Sequence, residues 1–387
     1  DCSEPSRLLV RNASNAYFAV TQSAISIPPR GAQLDEFVGA NLDALMDAIA
    51  LPSVLTTLRK LPPYTDGLRG YDDDEVLAAI KRVMHTGPSG VGIKDAEFEA
   101  LSAAQEELGS DVPHGNFYAR ALPLPKTVPA SMLGVKRVVL VHRLREVLAL
   151  VGFTRFESSS PDIQGELDQA VTLAPLARDL STVKWIPAVE NRGEGIFLEF
   201  DPAAIHAWCE KTAVKARADE LRAGYARWAE EHKVKGEHIG MPYVLLHSIA
   251  HLLLTSLSLE CGYPSSSLRE RIYALPDLDG KSGHYGILVY TGSSDAEGTL
   301  GGLIEAGRSI ERHMRNALET ALLCSNDPVC AAHSPSAHGH SPLLGAACHG
   351  CLLISETSCE RRNDYLDRAV VVPTVEAQGC EFFESAG

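Results

Sequence analysis

Two stretches near the carboxyl end, CSNDPVC at 324–330 and GAACHGCLLISETSC at 345–359, gather five of the chain's nine cysteines. Cys348-His-Gly-Cys351 is a knuckle, a tight turn that can aim two thiolates at one ion. Cys324 and Cys330 supply a second pair, and Cys359 is a credible substitute for either member of it. Ser358 reads as the cap of a helix starting at Cys359, whose amide end would favour a thiolate. The loop between the two stretches adds His333, His338 and His340, any of which can replace a sulfur. The candidate metal set is therefore Cys324, Cys330, Cys348, Cys351 and Cys359, and spacing leaves open which four of them bind. The expected ion is a structural Zn2+, because four thiolates close a tetrahedral shell and leave no position for water. Redox exchange at the CxxC pair and inert buried thiols are the competing readings. A disulfide scaffold would be shorter and denser in cysteine than these 387 residues.

Upstream of the cysteines, GILVY (286–290) runs into a glycine-rich turn, TGSSDAEGTLGG (291–302), and then a helix. Backbone amides at such a helix start suit an anion. Close packing of helix on strand explains the glycines equally well, and Asp295 and Glu297 would repel a phosphate. The most apolar segment is MPYVLLHSIAHLLLTSLSL (241–259), nearly long enough to span a membrane. Its His247 and His251, with four Ser/Thr residues, favour a buried core helix instead. On a helix the two histidines share one face, and Glu260 lies at a plausible third-ligand spacing. That makes a zinc-dependent hydrolase using His247, His251 and Glu260 the alternative function. The H-E-x-x-H general base is missing, because Ser248 follows His247, so two core or interface histidines are the plainer reading. Cys209, Cys261 and Cys380 read as packing residues, and Cys2 stands apart.

The remaining chain mixes strands and helices. Residues 15–27 read as one or two strands, 31–60 as helix, and 75–85 and 94–108 as two short amphipathic helices. Val135 to Val141 is an apolar strand, while HRLREVLALVGFTRF after it reads as either helix or strand. Residues 196–200 form another strand. Asp201-Pro202 then looks like an N-cap with proline at the first helical position, opening a long helix to about Val234. The shift at residue 201 sets the expected organisation: a mixed α/β region, 1–200, and a helix-rich zinc-binding domain, 201–387. The fold class is mixed α+β and multidomain. No segment fits G-x-x-x-x-G-K-[ST], so no ATPase motor is expected and no catalytic residue is assigned. A net charge of −15 speaks against a free-standing phosphate-binding surface. The start, DCSEPSRLLVRNASN, lacks the pattern of a signal peptide, which places the chain in a reducing cytoplasm with no membrane partner.

Several blocks, in order, carry a resemblance. They are HSIAHLLL (247–254), ECGYPSSSLRERIY (260–273), GILVYT (286–291), DAEGTLGGL (295–303), CSNDPVC (324–330) and GAACHGCLLISETSCERRNDYLDRA (345–369). Together they resemble the zinc-binding domain of unknown function at the carboxyl end of MrfA-type DNA-repair helicases, and most closely the DrmB family of the DISARM antiphage system. RNASNAYFAV (11–20), VHRLREVLALVGFTR (141–155) and WIPAVENRGEGIF (185–197) are similar to the same family. The resemblance implies a non-catalytic scaffold that partners a DrmA-like helicase subunit, the pair engaging DNA. It also implies a longer amino-terminal region than the one beginning at Asp1, in keeping with the missing initiator methionine. Arg269, Arg271, Arg308, Arg312 and Arg315 lie near these blocks and offer positive charge, each equally able to form a surface salt bridge.

Overall fold

The structure, a computed structural model, describes residues 17–27, 32–51, 53–69, 71–84, 92–104, 107–109, 111–112, 115–124, 129–155, 163, 174–176, 185–234, 236–277, 282–292, 301–336 and 341–383. The chain divides into two compact units, one of residues Ile27–Gly92 and one of Asp1–Ser26 with Ile93–Gly387.

The smaller unit is helical. The stretch expected as one helix over 31–60 is instead α1 (Ala32–Ala40), α2 (Leu42–Leu45), α3 (Asp47–Ala50) and α4 (Ser53–Leu58). Asn41 ends the first, its side-chain amide donating to the Phe37 carbonyl at 2.8 Å in competition with the backbone ladder. Pro52 lies between the third and fourth, where a helix cannot continue through it. Then come α5 (Tyr64–Gly67) and α6 (Asp73–Met84). A reciprocal cap starts the last: Glu75 N–H donates to Asp72 Oδ1 at 2.8 Å, and Asp72 N–H donates to Glu75 Oε2 at 2.9 Å. Leu34, Val38, Leu45, Leu55, Leu68 and Ile80 form its core.

The larger unit is built on an antiparallel sheet of eight described strands. In chain order its elements are β1 (Tyr17–Ile25), α7 (Ile93–Ser102), β2 (Glu107–Gly109), β3 (Tyr118–Leu122), β4 (Val135–Arg155), β5 (Ala174–Pro175) and β6 (Ala188–Phe200). After these come α8 (Pro202–Cys209), α9 (Thr212–His232), α10 (Met241–Cys261), β7 (Leu268–Leu275), β8 (His284–Thr291), α11 (Gly302–Gly307) and α12 (Ile310–Ala321). The strand order is β2-β3-β4-β6-β8-β7, with β1 and β5 also paired to β4.

The ambiguous run after Val141 is strand, the second half of the 21-residue β4. Its charges do not make a helical stripe; they reach across the sheet. Arg145 meets Glu190 on the neighbouring strand at 2.7 Å, and Arg143 meets Asp111 at 2.9 Å. The Asp201 cap is realised, its carboxylate accepting from Ala203 N–H at 3.0 Å with Pro202 in the first turn. The helix it opens is broken into α8 and α9 rather than running unbroken to Val234. The compact units do not divide at residue 201. β6, ending at Phe200, hydrogen-bonds to β4 before it and to β8 after it, so one sheet is made from both sides of that point.

Strand alternation sorts β7 into two faces. Leu268, Ile272 and Ala274 join the core against α10, together with Ile287 and Val289 of β8. Tyr273 points the other way and meets Phe98 of α7, as does Phe197 of β6. On that second face Arg271 and Glu97 form a buried pair, with Arg271 Nη2 donating to Glu97 Oε1 at 2.9 Å. The same carboxylate accepts from Tyr273 Oη at 3.1 Å and from Ile25 N–H at 2.9 Å. Beside it Glu146 of β4 accepts from Ser23, Asn191, Tyr290 and Arg269, which stitches five strands together. Across the other face α11 lies close to the sheet: a β-carbon on Gly307 would come 2.6 Å from Leu140 and 3.0 Å from Ile196.

Removing one partner of a buried ion pair leaves an uncompensated charge. Arg271→Met is expected to cost about 3–5 kcal/mol in urea denaturation. The double variant Glu97→Gln/Arg271→Met is expected to cost less than the single one, because no charge is then stranded.

Candidate metal centre

The long apolar segment is the buried core helix α10. It is the one described helix long and apolar enough to cross a membrane by composition. Here it is covered by protein from Met241 to Leu254, with only Pro242 half-buried. Its coverage comes from β7 and β8, from α11 and α12, and from the carboxyl-terminal segment 341–383. That segment holds one short 3-10 turn at Arg368–Val370 and no other helix or strand, so side chains fix its course.

Four cysteines meet where this segment crosses the loop after α12. Cys324, Cys330, Cys348 and Cys351 place their sulfurs within 4.8 Å of one another. The Sγ separations are 3.5 Å for Cys324 and Cys348, 3.7 Å for Cys330 and Cys351, and 3.7 Å for Cys348 and Cys351. These are far too long for disulfides, and all four are free thiols. They match the edges of a tetrahedron, since a zinc with Zn–S bonds of about 2.3 Å holds its sulfurs roughly 3.8 Å apart. Donors surround the sulfurs. Gly350 N–H and the Asn326 side-chain amide each reach Cys348 Sγ at 3.3 Å, and Asn326 N–H reaches Cys324 Sγ at 3.4 Å. Gly350 leaves the room this turn needs, because a β-carbon there would lie 2.7 Å from Ser325 Oγ and 3.4 Å from Cys348 Sγ. Contact between the Cys330 and Cys351 sulfurs pushes the Cys330 thiol up and the Cys351 thiol down, and the Arg368 guanidinium also favours a Cys351 thiolate. The donor set and its spacing fit zinc.

Arg368 itself is fully buried and anchors the cluster's loop. It donates to both Asp327 carboxylate oxygens, at 2.7 and 2.8 Å, and to the Ala321 carbonyl at the end of α12 at 2.9 Å. Its neighbour Asp367 accepts from Arg217 of α9 at 2.7 Å and from Ala346 N–H at 2.9 Å.

Cys359, expected as a substitute in this cluster, lies elsewhere. No helix starts at Cys359 for Ser358 to cap; Ser358 Oγ donates to the Ser265 carbonyl at 2.6 Å. Segment 358–360 instead runs along the outer edge of β7, with Glu270 N–H donating to the Ser358 carbonyl at 3.1 Å. Cys359 Sγ meets His247 Nε2 at 3.1 Å. Two amides do favour its sulfur, those of Arg361 and Asn363, at 3.3 and 3.2 Å. His247, His251, Glu270 and Cys359 thus form a second group whose ligand atoms lie within 4.8 Å of one another, all buried. Burial pushes the His247 imidazole down and the Cys359 thiol up.

Glu260, the third ligand expected for a hydrolase, is not in this group. It pairs with Arg312 and lies 3.5 Å from His313, on the surface of α10's last turn. The constellation His247, His251 and Glu260 therefore does not exist, and Glu270 stands in its place. The register of β7 is the signal that finds Glu270: it alternates with Leu268 and Ile272 and so belongs to the core face.

His333 hydrogen-bonds to the Ser341 carbonyl at 3.3 Å and is not among the clustered ligands. His338, His340, Cys2, Asp295 and Glu297 lie outside the described residues. The helix start expected to suit an anion holds the chain's own: buried Glu194 accepts from Gly301 N–H at 2.6 Å, from Leu303 N–H at 2.7 Å and from Tyr263 Oη at 3.1 Å. Cys209 and Cys261 pack against the main core and Cys380 lies within it. All five arginines raised as positive charge are paired: Arg269 with Glu146, Arg271 with Glu97, Arg308 with Glu305, Arg312 with Glu260 and Arg315 with Glu311.

Residues 249–352 match the MZB family, the MrfA Zn-binding domain. All four clustered cysteines fall inside that match. The chain is 36% identical over 406 aligned residues to DISARM protein DrmB of Bacillus paralicheniformis (strain ATCC 9945a / NCIMB 11709 / CD-2), covering 99% of this chain and 67% of that protein. A crystal structure of the DUF1998 helicase MrfA bound to DNA overlaps 59% of the chain at 14% identity, with a TM-score of 0.27. The chain spans 23% of that helicase.

A structural zinc contributes on the order of 10–16 kcal/mol of apparent binding energy to folding. Cys348→Ser or Cys351→Ser is expected to remove one zinc per chain by elemental analysis. Each is expected to make segment 341–383 sensitive to limited proteolysis under conditions where the unaltered chain is protected.

Proposed function

The chain belongs to the family of DISARM protein DrmB, and from that membership we propose that it is a non-catalytic subunit that pairs with a DrmA-like helicase and helps that complex engage DNA in antiphage defence. The observation that carries this reading is the 36% identity spread over 99% of the chain, which leaves no large block unaccounted for. The MrfA Zn-binding domain at 249–352 supports it, because zinc closed by four thiolates fixes a fold and offers no open position to a substrate. The sequence supports it too, since no stretch of its 387 residues carries the phosphate loop of a helicase motor.

Charge bears on how DNA would be reached. At −15 the chain repels a polyanion at long range, and each of the five arginines near the family's motifs already faces a carboxylate. A phosphate would have to displace those carboxylates. Neutralisation of the DNA backbone is therefore assigned mainly to the helicase partner, with this subunit shaping the complex. Such a complex works in the bacterial cytoplasm, where the free thiols stay reduced.

Co-expression with a DrmA-like helicase tests the proposal. A tagged chain is expected to co-elute with the helicase, to show no ATP hydrolysis alone, and to shift DNA in a gel only when the helicase is present. Vigorous ATP hydrolysis by the chain alone, or failure to retain the helicase, would overturn it.

A further inference from the structure

We propose that His247, His251, Glu270 and Cys359 bind a second zinc ion, distinct from the one held by the four cysteines. Three separate elements deliver the ligands. His247 and His251 lie one turn apart on α10 and share a face. Glu270 comes from the core face of β7, and Cys359 from the segment running along that strand's outer edge.

The hydrogen bonds show what the centre lacks. His251 Nδ1 lies 2.8 Å from the Leu352 carbonyl, and His247 Nδ1 lies 3.4 Å from the Tyr365 carbonyl. A carbonyl only accepts, so both protons belong on Nδ1, and each neutral imidazole turns its Nε2 lone pair inward. Those lone pairs face another acceptor. Glu270 Oε1 lies 2.8 Å from His247 Nε2 and 3.3 Å from His251 Nε2. The second oxygen, Oε2, is buried with no hydrogen-bond partner. Two lone pairs, a carboxylate and a sulfur thus converge in a space sealed from water, with the Cys359 S–H the one proton to share. A divalent cation satisfies all four at once, and carbonyl partners behind metal-bound imidazoles are the arrangement that fixes their orientation.

Size and chemistry select zinc. Bonds of about 2.0–2.3 Å in a tetrahedron put ligand atoms roughly 3.3–3.8 Å apart, and these atoms need only small shifts from their present spacing. Two imidazoles, one carboxylate and one thiolate are borderline between hard and soft donors, which suits zinc better than magnesium or calcium. A cavity of about 250 Å³ on the neighbouring side has Glu270 and Cys359 in its wall. Four protein ligands leave no site for a reactive water, so the ion is structural: it ties α10, β7 and the carboxyl-terminal segment together.

Elemental analysis and zinc-edge X-ray absorption on the full chain test this. The unaltered chain is expected to hold two zinc ions, with an average shell of about 2.5 sulfur and 1.5 nitrogen or oxygen ligands per zinc, against four sulfurs for the cysteine site alone. His251→Ala and Glu270→Gln are each expected to lower the count to one and to leave a four-sulfur shell. Cys351→Ser is expected to leave the nitrogen-rich shell instead. One zinc per chain with a purely sulfur shell would overturn the proposal, as would a folded His251→Ala chain that still holds both ions. The absorption measurement needs no variant, so it decides the matter even where a substitution prevents folding.

Discussion

The burial of α10 from Met241 to Leu254 is the constraint on which the larger unit depends. A helix apolar on every side must be covered on every side. The sheet covers one flank through β7 and β8, and α11 and α12 cover another. What remains falls to residues 341–383, and Leu344, Leu352, Leu366 and Val370 lie in the same core as α10. This cover has almost no regular secondary structure, so no repeating backbone ladder holds it in place. The specificity of its path comes from discrete polar and sulfur contacts.

Those contacts are arranged as fasteners between distant parts of the chain. The cysteine cluster joins the loop after α12 to the start of the cover. Arg368 then ties the cover back to Asp327 and to the end of α12, and Asp367 ties it to Arg217 of α9. Glu360 closes the far side, accepting from Lys94 of α7 at 2.8 Å and from Tyr243 of α10 at 2.7 Å. Each partner is buried or nearly so, where an unmet charge is costly, so each bond specifies one arrangement over its neighbours. The edge of β7 is protected by the same device. Segment 358–360 lies along it, which removes a free edge that would otherwise invite pairing with another chain.

The sequence made the cysteine cluster legible, because CxxC with a second nearby pair is a strong local signal, and it made α10 legible as a core helix. It could not rank Cys359 against Cys324 and Cys330, since spacing along the chain says nothing about which loop folds back. Only the path of 358–360 along β7 separates Cys359 from the other four. Glu270 was hidden for a related reason. It sits in Arg-Glu-Arg, which reads as a charged strand end, and its meaning appears only when Leu268 and Ile272 are placed on the same face. The 31–60 helix was over-read because apolar spacing persists through Asn41, whose side chain competes for the backbone ladder, and through Pro52, a residue type that lacks the N–H a helix interior needs. The second half of β4 was ambiguous for the opposite reason. Arg143, Arg145 and Glu146 look like a helical polar face until Asp111, Glu190 and Ser23 are found across the sheet.

Glu194 shows why motif reading alone assigns too much to external ligands. A glycine-rich turn entering a helix presents amides that attract an anion. Here β6 supplies a carboxylate to the helix start, with Gly301 and Leu303 N–H and Tyr263 Oη as its donors. An incoming phosphate would have to displace a carboxylate that is already fully bonded and sealed from water. The arginines near the motifs follow the same logic, with Arg271 buried against Glu97 and Arg269 held to Glu146. The features that look like nucleic-acid contacts in one dimension are consumed by the fold in three.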